Sequence, residues 1–346
     1  MSKKLYIRDR YDSVLDKVHN AIELGLIELR LGNFKKLTKY SYRMIKARLM
    51  GYPSFVMIEP TNACNLHCPL CTAPPWMVER ARKITSYEEG KLYIDNVKSM
   101  TPNVLFYLAG EPLLNKDLFK IVRYAEDNGL KTMFSTNATL FNRQRVQELL
   151  DSGLSRLIIS FDGATKESYE KYRVNAKFDN VVSNIKMLCS EKKNQGKLKP
   201  VIELQFIVTK YNENEIPMIK QLAAEMGVDK LDIKALYLPE YIYGKDYVTS
   251  LAREFLPDKI RVKYKYDEHG HPELIERPTT CSVWKTPVIQ TDGRVSMCCY
   301  DFQGKNTYGN VKENSFKAIW NSKRYSEDRK KMAVRGLSLC QDCSMG

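Results

Sequence analysis

The chain has 346 residues, 43% of them hydrophobic, a formal net charge of +14 and nine cysteines. That length is too great for one small domain and suits a core of about 200–250 residues with additions. No apolar run would span a bilayer, no apolar stretch follows the basic start as in a secretory signal, and cysteine is too sparse for a disulfide scaffold, so the thiols are expected in a reducing cytoplasm as metal ligands.

Residues 1–53 read as a helical cap. Leu15, Val18, Ile22, Leu26 and Leu29 recur at helical spacing until Gly32-Asn33 breaks the pattern. A second helix places Leu37, Tyr40, Met44 and Ala47 on one face and basic residues on the others. The simple expectation is an amphipathic cap packed on the main domain; the alternative is a helix lying on a membrane surface. From Leu29 to Ile58 there is no acidic residue, while Arg30, Lys35, Lys36, Lys39, Arg43, Lys46 and Arg48 are basic. Such an excess suits either a solvated face or peripheral contact with an anionic surface or substrate.

From residue 54 to 238 apolar runs alternate with helical patterns. The candidate strands are Phe55–Ile58, Val104–Leu108, Thr132–Ser135, Arg156–Phe161, Val201–Val208 and Lys230–Leu236. Helices follow most of them: one after the capping box Ser86/Glu89, then Leu118–Asn128, Phe141–Leu150, Asn180–Asn194 and Glu213–Met226. This rhythm predicts an α/β fold, a parallel sheet with right-handed crossovers, curved and open because it has six units rather than eight. Residues 239–346 form an irregular linker, rich in Tyr and Pro, followed by a small second domain from Cys281.

In such folds the site lies at the carboxyl ends of the strands. The first strand runs into Cys64, Cys68 and Cys71, spaced C-x3-C-x2-C; the second into Ala109-Gly-Glu-Pro112; the third into Ser135-Thr-Asn137; the fourth ends in Ser160-Phe-Asp-Gly163; the fifth leads to Thr209 and Asn212. The polar and thiol residues therefore share one rim. Thiolates this close bind soft metals or iron–sulfur clusters, and three of them on a four-iron cube leave one iron open. A structural zinc site completed by His67 is the rival for the cysteines alone. Cys189, mid-helix beside Met187 and Leu188, reads as a buried thiol.

With this spacing and these rim motifs the sequence resembles the radical S-adenosylmethionine (SAM) superfamily. The resemblance implies a (β/α)6 partial TIM barrel in which Cys64, Cys68 and Cys71 hold a [4Fe–4S] cluster whose open iron is chelated by SAM. Gly110 and Glu111 resemble the family's Gly-Gly-Glu-Pro motif, with Ala109 for the first glycine, and would bind the methionine amino group. Ser160 and Arg173 would contact ribose and carboxylate. Asn137 stands in the family's Thr-Asn-Gly position, with Ala138 where glycine is usual. Leu70 replaces the usual aromatic before the third cysteine, leaving a backbone contact to adenine.

The C-terminal cysteines resemble the SPASM/twitch extension of the same enzymes. Cys281 is followed by eleven residues, Gly293, four residues and Cys298, and later by Cys340 and Cys343 as C-x2-C. Those four ligands would hold one auxiliary [4Fe–4S] cluster, with Cys299 able to replace Cys298; zinc is the alternative occupant. The resemblance implies reductive cleavage of SAM to a 5′-deoxyadenosyl radical, hydrogen abstraction from a substrate, and a reducing partner such as flavodoxin or ferredoxin. One closed auxiliary cluster points to oxidation of a sugar- or cyclitol-like substrate. Tyr237, Glu240, Tyr241, Tyr243 and Asp301 are candidates for the base, and the sequence does not choose among them. The rivals are modification of a ribosomal peptide, a lipid-linked substrate, and, from another class, a zinc-binding protein associated with nucleic acid. The βα rhythm and the absence of a recognition helix speak against nucleic acid.

Overall fold

The computed structural model describes residues 5–8, 13–341 and 343, the side chains of residues 13–21 excepted. In chain order it comprises β1 (Tyr6–Arg8), α1 (Ser13–Arg30), α2 (Phe34–Leu49), β2 (Phe55–Ile58), α3 (Tyr87–Val97), β3 (Asn103–Leu105), α4 (Leu118–Asp127), β4 (Lys131–Thr136), α5 (Arg143–Ser152), β5 (Arg156–Ser160), α6 (Lys166–Tyr172), α7 (Phe178–Asn194), β6 (Val201–Val208), α8 (Ile216–Met226) and β7 (Lys230–Ala235). It continues through α9 (Glu240–Tyr243), α10 (Lys245–Phe255), β8 (Tyr264–Tyr266), β9 (Pro272–Leu274), β10 (Val288–Ile289), β11 (Arg294–Ser296), β12 (Thr307–Asn310), α11 (Phe316–Trp320), α12 (Lys323–Ala333) and α13 (Ser338–Gln341).

The main sheet runs β1-β7-β6-β5-β4-β3-β2-β10-β11-β12. Strands β2 to β7 pair parallel in sequential order, the six expected βα units of a partial barrel. Two additions lie outside the expectation. β1 joins the edge at β7, within a segment read as wholly helical, and β10 joins the opposite edge parallel to β2. The cysteine-rich C-terminal segment thus continues the barrel sheet through β10–β12. Strands of two to four residues are too short to show a period-2 pattern.

The barrel side chains divide as a pleat requires. Val56, Ile58, Val104, Phe106, Phe134, Leu157 and Ile159 face the helical layer in one large core. Met57, Leu105 and Val288 form a separate cluster with Phe55, Tyr107, Met133 and Cys299 packed against it. Helix starts follow their sequence signals: Ser86 and Glu89 make the reciprocal capping box on α3, and the Asn142 and Thr165 side chains accept from Arg145 N–H and Ser168 N–H on α5 and α6. Cys189 is buried on α7, as read.

The N-terminal helices differ from the expectation in one respect. On α1 the apolar stripe Ile22, Leu26 and Leu29 is exposed, and the side facing the protein carries Leu24 and a fully buried Glu28. The Leu15 and Val18 side chains of that stripe lie outside the described residues. Glu28 pairs with Lys131, the first residue of β4, and with Lys199 just before β6. Glu23 pairs with Arg156 at 3.2 Å and Lys230 at 2.7 Å, the first residues of β5 and β7. Helix α2 buries Tyr40 and Ala47, and the Tyr40 hydroxyl donates to Asn103 at the start of β3 (3.3 Å). The hairpin therefore caps the amino ends of the strands. No described helix is long and apolar enough to cross a membrane.

Candidate SAM and iron–sulfur site

The thiol loop leaves β2 at Ile58 and is braced before it reaches Cys64. Glu59, fully buried, takes a bidentate pair from Arg80 (2.9 Å to each oxygen) and accepts from Thr291 N–H at 3.1 Å. Asn62 donates to Ala81 O and accepts from Lys83 N–H. Within the loop, Leu66 N–H points at Cys64 Sγ (3.4 Å) and Cys71 N–H donates to Cys68 O (3.2 Å).

Arg173, placed at the end of α6, closes the loop from the far side of the barrel. One guanidinium nitrogen lies 3.5 Å from Cys68 Sγ and another pairs with Asp162. Asp162 is fully buried and is oriented by Ile207 N–H at 2.7 Å. Burial pushes the Asp162 carboxyl up, and the Arg173 charge opposes it.

Glu111 joins three strand ends. Its N–H donates to Ala63 O in the thiol loop (2.8 Å). Its carboxylate accepts from the Thr136 hydroxyl (2.6 Å), Leu113 N–H (3.1 Å) and Asn137 N–H (2.8 Å). A carboxylate has about four acceptor positions, so one remains for a ligand amine. The preceding residue must be glycine: Gly110 has φ +79°, and a Cβ there would meet Ala63 O at 2.4 Å and Thr61 O at 2.7 Å. Ala138 takes φ +58°, which accounts for a glycine preference at that place.

The remaining rim residues occupy the same edge. The Asn137 side chain donates to Asn65 between the first two cysteines (3.0 Å). Ser160 lies 3.3 Å from the Ser135 hydroxyl across two strands. Leu70 is buried against Tyr172, Leu236 and Leu238. The Tyr243 hydroxyl of α9 donates to Cys71 O at 3.1 Å. His67 is exposed and stacks on Trp76 with ring centroids 4.2 Å apart, an orientation that explains it without a metal.

The C-terminal thiols lie in a second buried region. Cys281, Cys298, Cys340 and Cys343 are buried. Cys298, Cys340 and Cys343 share one apolar cluster with Met297, Tyr300 and Met332. Arg335 ties the C-x2-C pair together by donating to Cys340 O (2.7 Å) and to Cys343 O. Cys299 packs against the cluster of Met57, Leu105 and Val288; burial pushes its thiol up to about 12, and the nearby Cys343 and Cys281 add to this, so it remains beside the other C-terminal thiols.

The base candidates are spread out. Both Asp301 carboxylate oxygens are held by backbone, from Lys305 N–H and Asn306 N–H. Tyr237 accepts from Lys263 at 3.1 Å. Glu240 lines a small separate cavity of about 40 Å³ with Tyr264, Arg277 and Gln341. Tyr241 packs on Tyr300 (5.3 Å) beside the C-terminal thiols. Sequence reasoning did not single out Asp162, Thr136 or Arg80. Asp162 stood in the quoted run after β5, but its partner is set by a fold contact.

Burial pushes the Cys64 thiol up to about 11 and Cys71 up to about 12, with the neighbouring Cys68 adding to both. Thiolates in such a place form together with metal binding, which releases their protons. Among the described residues no three His, Cys, Asp or Glu side chains converge about a single ion. A three-thiol loop with backbone N–H and guanidinium donors on sulfur fits a cluster with one open corner, and the buried four-thiol set fits a closed one.

Comparison with known proteins agrees. Residues 58–223 match the sequence model of the Radical SAM superfamily, and residues 281–344 that of an iron-sulfur cluster-binding domain, SPASM. The chain is 32% identical over 176 residues to AdoMet-dependent heme synthase of Methanosarcina barkeri, covering 51% of this chain and 48% of that protein. It is 26% identical over 316 residues to the tungsten-containing aldehyde ferredoxin oxidoreductase cofactor-modifying protein of Pyrococcus furiosus, covering 84% of this chain and 87% of that one. The chain spans less than half the length of the Methanosarcina relatives it matches. Streptococcus suis SuiB bound to precursor peptide SuiA shares the fold with a TM-score of 0.60 at 16% identity, over 90% of this chain and 75% of that one. The two matched domains imply a SAM-binding [4Fe–4S] cluster, SAM itself and an auxiliary iron–sulfur centre. The chain belongs to the radical SAM superfamily and carries a SPASM domain at its C-terminal end.

Proposed function

We propose that this protein uses SAM to remove a hydrogen atom from an unactivated C–H bond and completes the reaction as an oxidation of a sugar- or cyclitol-like substrate. The observation that carries the initiation step is the three-thiol loop held by Glu111 and Asn137 beyond β3 and β4 and by Arg173 at the end of α6. When bound there, a reduced four-iron cluster and SAM supply methionine and a 5′-deoxyadenosyl radical, with the electron drawn from a partner such as flavodoxin or ferredoxin.

The chain's own residues hold and orient. Glu111 keeps one acceptor position for the methionine amine, and Asn137 and Ser160 offer polar atoms on the same rim for the nucleoside. Arg173 supplies a fixed cation beside Cys68 and toward a carboxylate. Tyr243 holds the backbone of the third cysteine through its carbonyl, and Leu70 beside it is buried.

The oxidation reading rests on the second centre. Four buried cysteine thiols would close a cluster completely, which suits electron exchange rather than substrate ligation. A hydroxyl proton must also leave; of the candidates, Tyr241 stands on Tyr300 beside the C-terminal thiols, but burial raises its pKa and keeps its hydroxyl protonated, so no base is assigned. We assign residues 54–238 to initiation and 239–346 to this second task.

Anaerobically reconstituted protein with SAM, dithionite and a panel of aminocyclitols and sugars is expected to yield 5′-deoxyadenosine and, with the right substrate, a product two hydrogens lighter. Failure to form 5′-deoxyadenosine contradicts the initiation reading. Its formation with a substrate product of unchanged hydrogen count contradicts the oxidation reading alone.

A further inference from the structure

The α1–α2 hairpin presents large apolar side chains to solvent to an extent its role as a cap does not explain. On α2, Phe34 (64% exposed), Tyr42 (64%), Ile45 (60%) and Leu49 (78%) follow one another at helical spacing on a single stripe. On α1, Ile22, Leu26 and Leu29 make a second exposed stripe, and Leu31 at the turn between the helices is exposed as well. Monomeric surfaces rarely gather so many large apolar residues without a partner.

Charge identifies the partner. Arg30, Lys35, Lys39 and Arg48 are exposed among these side chains, and no acidic residue occurs from Leu29 to Ile58. A second copy of the chain docking on this face would set cation against cation. A nucleic acid would neutralise the cations but leave Ile45 and Leu49 against phosphate. An anionic bilayer interface accepts both kinds of group: basic heads at the phosphates and apolar ends among the upper acyl chains.

The fold fixes the orientation. Glu28 and Glu23 tie α1 to the first residues of β4, β5 and β7, whereas the thiol loop and Glu111 stand at the opposite, carboxyl ends of the same parallel strands. Strands of five to eight residues separate the two ends by roughly 15–25 Å.

We propose that the α1–α2 hairpin docks on an anionic phospholipid surface and holds the barrel with its cysteine rim turned away from the bilayer. This is independent of which substrate the enzyme oxidises. A substrate then reaches the rim from the aqueous side.

The test uses the full chain with its clusters loaded and sedimented with vesicles of phosphatidylcholine alone or mixed with phosphatidylglycerol. Wild-type protein is expected to bind the anionic vesicles, weakly or not at all the neutral ones, and to lose binding as salt rises. The variants Phe34→Ser/Ile45→Ser/Leu49→Ser and Lys35→Glu/Lys39→Glu/Arg48→Glu are each expected to weaken binding by about tenfold or more, with unchanged thermal melts because these side chains are exposed. A fluorophore at Ile45 is expected to be quenched by brominated lipid, and one at Arg82 in the loop after the cysteines is not. Absence of wild-type binding to anionic vesicles overturns the proposal. So does unaltered binding by both variants, a wild-type dimer dispersed by the apolar triple variant, binding only to an oligonucleotide, or stronger quenching at Arg82 than at Ile45.

Discussion

The guanidinium of Arg173 stands 3.5 Å from the sulfur of Cys68 while its other nitrogen pairs with the fully buried Asp162. This links the thiol loop after β2 to the far side of the barrel, where Asp162 follows β5 and takes an N–H bond from β6. A loop that must hold a cluster in fixed geometry is therefore clamped by a cation whose own position is set by a buried carboxylate.

Replacing one member of that pair leaves a buried charge without its counter-charge. Arg173→Ala is expected to cost roughly 3–5 kcal/mol of stability, with Arg173→Lys intermediate because it cannot form the fork. Thermal or denaturant unfolding measures the loss. The spectroscopic signature follows separately: the first cluster's EPR signal should shift in Arg173→Lys, while that of the C-terminal centre should not. An unchanged signal would mean the guanidinium does not act on the sulfur.

Glu111→Gln keeps the shape but turns one acceptor into a donor facing Thr136 or Asn137 N–H. A stability loss of about 1–3 kcal/mol is expected. SAM affinity should fall with it, while iron content stays near wild type. Equal SAM affinity by calorimetry would remove Glu111 from the binding site and leave it a structural strut.

Gly110→Ala puts a methyl 2.4 Å from Ala63 O at a residue with φ +79°. The thiol loop must move or the strand end must unwind. Iron retention after reconstitution is expected to fall far more than in Gly153→Ala, a helix end of similar φ (+77°) where a Cβ would meet nothing closer than Glu126 Cβ at 3.8 Å. Comparable retention in both would contradict the tight fit drawn here.

Burial pushes the Glu28 carboxyl up, but hydrogen bonds and charges from Lys131 and Lys199 outweigh it and bring it down to about 2. Its folded value lies below its unfolded one, so its contribution is present above the ordinary carboxylate range and is lost as pH falls toward about 2. Glu28→Gln should be less stable at neutral pH, and the gap to wild type should narrow between pH 5 and about 2. A gap that stays constant would show that the pairs with β4 and β6 do not stabilise α1.

The barrel strands and the three-thiol loop were readable because their signals are local: apolar runs of four to eight residues, and cysteines within eight positions. The short strands β10–β12 were not, since pairing with β2 is decided by the fold and not by a pattern of two residues. Helix α1 shows a different limit. Periodicity tells that Ile22, Leu26 and Leu29 share a face, but not that the opposite face carries Glu28 to two buried lysines and so wins the interior. Arg173 was visible as a rim candidate, whereas its partner Asp162 emerged only from the contact between β5, β6 and α6. Adjacent Cys298 and Cys299 pack into different apolar clusters, a matter of side-chain direction that spacing alone does not carry.

The most direct measurement is iron and sulfide content, with EPR, of anaerobically reconstituted wild type and the variant Cys64→Ala/Cys68→Ala/Cys71→Ala. Two four-iron clusters predict about eight irons per chain in the wild type and about four in the variant, which keeps only the C-terminal signal and forms no 5′-deoxyadenosine. An unchanged iron content in the variant, or zinc in place of iron in both proteins, would contradict the account.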